Sequence, residues 1–201
     1  ASPTGPTTPD GEPLAGWWWR VLAYVIDSVI VGVASSIVSI PGQIQMQRDL
    51  VPVMERFDRE IAEDPDRTPD FGAFFGDYMD VMQDHVLWLV GPSFVLTLLY
   101  WVFFLRWKGA TPGKLMLGMR VRLRDQAGTL SWSTIAARMA VQFGVPWTLY
   151  VLAFVTASGT LLVLSMLVLM LWLIDPLWAT WDPQRQTLHD KLARTNVVKR
   201  H

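Results

Sequence analysis

Four charged residues stand in stretches of sequence that otherwise carry almost no charge. They are Arg20, Asp27, Arg138 and Asp175. An ionised side chain in hydrocarbon costs roughly 2.5–3.5 kcal/mol on insertion scales, so such groups are expected to face protein or water and to pair with one another. Two kinds of chemistry remain open for these residues: an ionic lock between packed helices, or a site that binds protons or cations.

The stretches around these residues have the length of membrane-spanning helices. They cover about 17–40, 86–105, 137–156 and 160–179, with a tight turn expected between the last two at 157–159. About 20 apolar residues cross a hydrocarbon core of roughly 30 Å. Only 17% of the residues are charged, against about 25% in an average soluble domain. We therefore predict an all-α membrane protein with about four transmembrane helices.

The basic segments of the chain follow the second and the fourth of these helices. Residues 106–138 carry seven Lys or Arg and one acid, and residues 182–201 carry five Lys or Arg and two acids. Cytoplasmic segments of membrane proteins are enriched in Lys and Arg. We therefore expect both termini in the cytoplasm, in a plasma (bacterial inner) membrane. In this topology the four charged residues converge near the cytoplasmic face.

Two further segments are polar. Residues 1–16 contain Pro, Thr, Gly and two acids but no Lys or Arg, and we expect a disordered tail. Residues 41–85 are expected to form an acidic extracytoplasmic loop, since 43–84 contain 11 Asp or Glu and four Arg. Pro41-Gly42 is expected to end the first helix, and short amphipathic helices are expected within the loop.

Small residues lie beside Asp27 on one face of the first helix. Ser28, Gly32 and Ser36 have the spacing that lets two membrane helices approach closely. We interpret this pattern as a helix-packing stripe.

A basic segment follows the second helix. GATPGK is expected to form a turn that aims Lys114 at lipid phosphates or at an acidic partner. MRVRLR alternates apolar and basic residues, which is typical of a strand with one wet face. Pairing of this strand with TNVV near the C-terminus would make a short cytoplasmic β-hairpin-like segment. Three basic side chains of the strand are expected to meet anionic headgroups: Arg120, Arg122 and Arg124.

Several patterns that would indicate other chemistry are incomplete. The segment 109–114 is one residue short of a P-loop, and Leu115 stands where Ser or Thr would bind magnesium. A catalytic role for the pair His189-Asp190 is not supported by a serine nucleophile motif or by a second histidine, since His85 is expected in a loop and His201 is at the terminus. The acidic residues lack EF-hand spacing, and the chain has no cysteine. We predict no enzyme activity, no cofactor, no metal site and no nucleic-acid partner.

Taken in order, the motifs of residues 17–200 resemble those of the RDD family of multi-pass membrane proteins. GWWWRVLAYVIDSVIVG holds an arginine and an aspartate that match the family's first pair, Arg20 and Asp27. The second aspartate of the family maps to Asp175 in LIDPLWATWD. GATPGKLMLGMRV at 109–121 and RQTLHDKLARTNVV at 185–198 are further family-like stretches. The resemblance implies a transmembrane domain into which the acidic segment 41–85 is inserted.

Two functions follow as hypotheses. Transport, including cation/proton antiport, has been suggested for some RDD proteins, so the resemblance implies that intramembrane carboxylates handle ions or small solutes. The alternative is a non-catalytic accessory or assembly subunit that docks on a larger membrane complex. The expected partners are the lipid bilayer and either other membrane-protein subunits or further copies of this chain.

Overall fold

The computed structural model describes residues 5–125, 128–156 and 158–199, except for the side chains at 171–173. Ala157, part of the expected turn at 157–159, lies outside the described residues. The helices and strands, in chain order, are α1 (Trp17–Glu63), α2 (Phe71–Lys108), α3 (Pro112–Met116), β1 (Met119–Leu123), α4 (Trp132–Met139), a π-helical turn (Ala140–Gly144), α5 (Val145–Val155), α6 (Gly159–Trp181), α7 (Leu188–Leu192) and β2 (Thr195–Lys199).

Within the described residues, four helical segments are long and apolar enough to cross a membrane. They are α1, α2, the continuous helix formed by α4, the π-helical turn and α5, and α6. Large hydrophobic side chains on these helices, among them Val29, Leu99 and Met170, are exposed. A helical bundle with so apolar an outer surface is suited to lipid. The prediction of an all-α membrane protein with about four transmembrane helices is confirmed.

The first two helices are much longer than a membrane requires. α1 has 47 residues and α2 has 38, which correspond to about 70 Å and about 57 Å at helical rise. The hydrocarbon core is only about 30 Å thick. The prediction that Pro41-Gly42 ends the first helix is wrong, because α1 continues through both Pro41 and Pro52.

Close packing of α2 against α1 explains why the helix continues past the first proline. Ser39 Oγ lies 2.8 Å from Ser93 Oγ in a hydrogen bond between the two helices. A Cβ atom at Gly42 would lie 3.0 Å from the carbonyl oxygen of Trp88, so the glycine allows this close approach. These contacts offset the cost of a proline inside a helix, which is about 3 kcal/mol.

The small-residue stripe that we interpreted as helix packing does not make this contact. Ser28, Gly32 and Ser36 are exposed, and a Cβ atom at Gly32 would meet no atom within 4 Å. Ser36 Oγ donates to the Gly32 carbonyl oxygen within α1 itself, at 2.9 Å. The physical reason is a cavity between the helices at this level, which Ser28 and Gly32 border. The close approach occurs further along α1, at Gly42.

Beyond their most apolar parts, α1 and α2 stay packed as an antiparallel pair, here called the distal hairpin (residues 43–85). Arg56 Nη1 lies 2.8 Å from Asp77 Oδ2, and the ring centroids of Phe57 and Phe74 are 4.4 Å apart. The acidic segment is therefore almost wholly helical, in place of a loop with short helices. Each helix supplies the other with ionic and aromatic contacts, which an isolated short helix would lack.

A polar layer closes one end of the bundle; it is formed by the described residues of 5–16, 109–131 and 182–199. In it β1 pairs antiparallel with β2, so that Met119 lies opposite Lys199 and Leu123 opposite Thr195. The predicted short β segment is confirmed. Its inner face joins an apolar core that reaches into the bundle through Trp101 of α2.

The N-terminal segment from residue 5 to residue 16 is part of this layer, which differs from the disordered tail that its composition suggested; residues 1–4 lie outside the described residues. Leu14 forms an isolated antiparallel bridge with Val198. Arg122, which is 2% exposed, lies 2.7 Å from Asp10 Oδ2 and 3.2 Å from Glu12 Oε2. The two acids keep this segment in place because they neutralise a buried guanidinium.

Substitution of Gly42 by alanine should lower the free energy of unfolding by about 1–3 kcal/mol, because the new Cβ would press on the Trp88 carbonyl. The matched control is Gly32→Ala in the same helix, where the space is open and alanine is the better helix former. Thermal unfolding in detergent measures both. Equal stability of the two variants would contradict the close packing at Gly42.

Candidate functional site

Asp27 is buried in α1, 1% exposed, and it accepts three hydrogen bonds. Tyr100 of α2 donates at 2.7 Å, Thr111 Oγ1 at 2.5 Å and the backbone N–H of Gly113 at 2.8 Å. A Cβ atom at Gly113 would lie 2.3 Å from the Ala23 carbonyl oxygen, so the GATPGK segment approaches α1 as closely as it does because this residue is glycine. Hydrogen bonds of this kind stabilise an ionised carboxylate away from water.

Lys114 turns inward from the same segment. Its Nζ lies 3.5 Å from Thr111 Oγ1 and 4.6 Å from the centroid of the Trp101 ring. Burial lowers the pKa of this lysine from 10.5 to about 8, and the positive charge of Arg138 adds to the shift. The sequence suggested contact with lipid phosphates or an acidic partner. The structure places Lys114 inside the protein, next to the hydroxyl that binds Asp27.

Asp190 of α7 joins two arginines. Arg20 Nη1 lies 3.2 Å from Asp190 Oδ2, and Arg138 forms an ion pair with Asp190 Oδ1. Arg138 also donates to Thr195 Oγ1 at 2.7 Å. Burial alone would raise the pKa of Asp190, but Arg138, His189 and Arg20 together hold it below its usual range. The carboxylate is thereby kept ionised.

Asp175 meets a histidine and not an arginine. Its Oδ2 lies 2.5 Å from His189 Nδ1, and its Oδ1 accepts a hydrogen bond from the His189 backbone N–H at 3.0 Å. The four charged residues singled out in the sequence thus converge on one end of the bundle, but the partner of Arg20 is Asp190. The spacing of Thr187 and Asp190, which form a capping box at α7, was the sequence signal that could have drawn attention to Asp190.

These groups surround a cavity of about 170 Å³, here called the charged cavity. Three cations line it, Arg20, Lys114 and Arg138, together with the carboxylates Asp175 and Asp190. Aromatic and apolar side chains complete the wall; they include Trp17, Val21, Tyr24, Trp101 and Pro176. Buried charged side chains are tolerated where they are paired and hydrogen-bonded, and most of the charged side chains of this cavity have such partners.

Gln142 lies on the wall between the charged cavity and a second cavity of about 290 Å³, which extends along α5 and α6 past Tyr150 and Ser165. It belongs to the π-helical turn, and such turns often mark functional positions in helices. Its Oε1 is buried and has no hydrogen-bond partner among the described residues. The sequence analysis did not single out this residue, because a π-helical turn has no clear sequence pattern.

A third cavity, of about 300 Å³, separates α1 from α2 beside Asp27 and is here called the hydroxyl cavity. Polar side chains from both helices border it: Asp27, Ser28, Ser35, Ser93 and Thr97. This part of the bundle is therefore more polar than the apolar sequence of the spans suggests.

The three arginines of the β1 region, which we expected at lipid headgroups, have acidic partners in the chain. Arg120 pairs with Glu12, and Arg122 pairs with both Asp10 and Glu12. Arg124 Nε lies 3.2 Å from Asp125 Oδ1 in an exposed pair. Arg122 holds the pKa of Asp10 down to about 2, with help from Thr8.

The described residues contain no group of three or more His, Asp or Glu that could hold a metal ion.

The fold and the buried charges define a helical membrane protein with several spans and a polar layer at one end. The sequence model of the RDD family matches residues 14–194. The chain therefore belongs to the RDD family. No curated protein and no solved structure matches it.

Replacement of Asp190 by asparagine should lower the free energy of unfolding by about 3–5 kcal/mol, because two buried guanidinium groups would lose their carboxylate. Asp125→Asn, which removes an exposed pair, should change stability by less than about 1 kcal/mol. Thermal or denaturant unfolding in detergent measures both. If the two variants were equally stable, Asp190 would not be the contact that holds Arg20 and Arg138.

The lowered pKa of Lys114 predicts a pH dependence of stability. Between pH about 8 and 10.5 the unfolded chain binds more protons at this residue than the folded chain does, so the free energy of unfolding should rise with pH in this window. In Lys114→Met this contribution should be absent, whereas Lys108→Met, at an exposed lysine, should retain it. Unfolding curves at pH 8, 9 and 10 make the comparison. Identical pH slopes for all three proteins would show that Lys114 has an ordinary pKa.

Proposed function

We propose that this protein moves cations or protons across the membrane, and that Asp27 is the group that binds them. The observation that carries the proposal is the position of Asp27, a carboxylate inside a membrane-spanning helix that borders the hydroxyl cavity. Ionisable residues in such places commonly mark ion pathways and proton relays. In this proposal the chain performs no covalent chemistry.

The surroundings of Asp27 suit reversible binding. Hydroxyl oxygens of Ser28, Ser35, Ser93 and Thr97 on the cavity wall are the hard ligands that alkali and other hard cations favour. The three hydrogen-bond donors to the carboxylate, from Tyr100, Thr111 and Gly113, stabilise it when no cation is bound. A cation that enters the cavity would therefore meet a negative charge already in position.

Thr111 links Asp27 to the charged cavity. It donates to Asp27 and lies within hydrogen-bonding distance of Lys114. Neutralisation of Asp27 by a proton or cation would weaken the attraction that Lys114 feels. We propose that this coupling lets the polar layer respond when an ion binds in the hydroxyl cavity. In this proposal the protein lies in the plasma membrane, with the polar layer and both termini on the cytoplasmic side.

Reconstitution in liposomes tests the proposal. With a pH gradient imposed, wild-type protein should support proton-coupled cation uptake, and Asp27→Asn should reduce the initial rate by at least about tenfold because it removes the charge that binds the ion. Asp58→Asn on the distal hairpin is the matched control, since Asp58 is exposed and far along α1. Gel filtration of each variant confirms that it is folded.

An accessory role is the second candidate, and the distal hairpin favours it. Phe71 and Phe75 are 60% and 63% exposed on a helical surface beyond the most apolar part of α2, which is suited to contact with another protein. Negligible flux in wild type and Asp27→Asn alike would contradict transport. A partner retained by wild-type protein through purification but lost from a Phe71→Ser/Phe75→Ser variant would then support the accessory role.

A further inference from the structure

We propose that the charged cavity is a binding site for an anionic ligand that carries a hydrogen-bond donor next to its negative charge. Lys114 would bind the negative charge, and Gln142 Oε1 would accept a hydrogen bond from the donor. The inference goes beyond transport of cations or protons at Asp27 and does not rest on it, because it concerns a different cavity and Asp27 takes no part in binding the anion.

Lys114 is the one cation of the charged cavity without a carboxylate partner among the described residues. Arg20 and Arg138 both contact Asp190, whereas no described carboxylate oxygen lies within ion-pairing distance of Lys114 Nζ. The ammonium has one long hydrogen bond to Thr111 and a ring beneath it. With its pKa near 8, it is still mostly charged at neutral pH. A buried ammonium with so few partners is suited to an anionic ligand.

Gln142 supplies the second requirement. The side chain is 6% exposed, lines the charged cavity, and presents an Oε1 with no partner among the described residues. A buried carbonyl oxygen left unpaired costs about 1–3 kcal/mol, so a ligand N–H or O–H that reaches it would recover that energy. The two residues come from the GATPGK segment and the π-helical turn, and both line the charged cavity.

The two carboxylates of the cavity are already paired with other residues, so they do not compete with an anionic ligand for Lys114. Asp190 is occupied by Arg20 and Arg138, and Asp175 is occupied by His189. Among the described residues, three cations and two carboxylates line the cavity, and the titratable His189 pairs with Asp175. The lining therefore has at least one positive charge in excess, which the negative charge of a ligand would offset. A cation in the same place would be repelled by the positive charge of Lys114, which has no carboxylate partner among the described residues.

The size and the wall of the cavity limit the ligand further. Its volume of about 170 Å³ resembles the cavity of about 150 Å³ that takes a benzene molecule. Trp17, Trp101 and Pro176 give it an apolar side. Two sources fit: the headgroup of an anionic lipid such as phosphatidylglycerol, which carries a phosphate with adjacent hydroxyls, or a small free organic anion of the same chemistry, such as glycerol phosphate.

Binding to purified, delipidated protein in a neutral detergent tests the site. Phosphatidylglycerol, glycerol 3-phosphate and, as a neutral control, phosphatidylcholine are added separately. Native mass spectrometry counts bound lipid, and calorimetry or the thermal shift measures the affinity of the soluble anion. Lys114→Met should weaken binding by at least about tenfold, since a hydrogen-bonded charge is lost. Gln142→Leu should weaken it by about three- to tenfold.

Two comparisons separate the site from general effects. Gln142→Leu removes the unpaired carbonyl, so without ligand this variant should be at least as stable as wild type. Lys108→Met, at an exposed lysine near the end of α2, should bind as wild type does. Tight binding of phosphatidylglycerol alone identifies the lipid as the source, and tight binding of glycerol 3-phosphate identifies a free anion.

Three results would overturn the inference. They are the absence of binding by either anion, equal binding by wild type, Lys114→Met and Gln142→Leu, and an equal loss of binding in Lys108→Met. The last result would show that the lipid is held by general attraction to the basic surface.

Discussion

The contact of Asp190 with Arg20 and Arg138 is the interaction on which the polar layer depends. The three residues come from the start of α1, the end of α4 and the short helix α7, so one carboxylate ties together segments that are far apart in the chain. Two guanidinium groups buried near a membrane are tolerated only with a negative partner. The position of α7 therefore decides whether the first and third spanning segments can pack at this end of the bundle.

A second set of polar contacts is built on Asp27. The GATPGK segment reaches this carboxylate because Gly113 has no side chain, so its backbone can pack against α1 and its N–H can donate to Asp27. The same turn carries Lys114 into the charged cavity. A change of charge at Asp27 and occupancy of the charged cavity would thus act on one short segment, Thr111 to Lys114, which gives two neighbouring sites a direct physical connection.

The length of α1 and α2 gives the molecule its third feature. One continuous helix contains Asp27 near the polar layer and Arg56 in the distal hairpin, and α2 follows it through Ser93, Trp88 and Asp77. Proline at 41 is accommodated because the partner helix packs tightly there. Residues outside the apolar spans are therefore held by the same pair of helices that forms the pathway proposed for ions.

The sequence by itself determined the number of spanning helices, the strand of alternating basic residues and the convergence of charges at one end, because hydropathy, period and charge distribution are local properties of the chain. Only the tertiary structure decided that Arg20 meets Asp190 and not Asp175, that α1 continues past Pro41, and that Asp10 and Glu12 of the N-terminal segment pair with Arg122. Each of these depends on a partner distant in sequence, and the energy of such a contact arises only when the folded chain brings the two groups together.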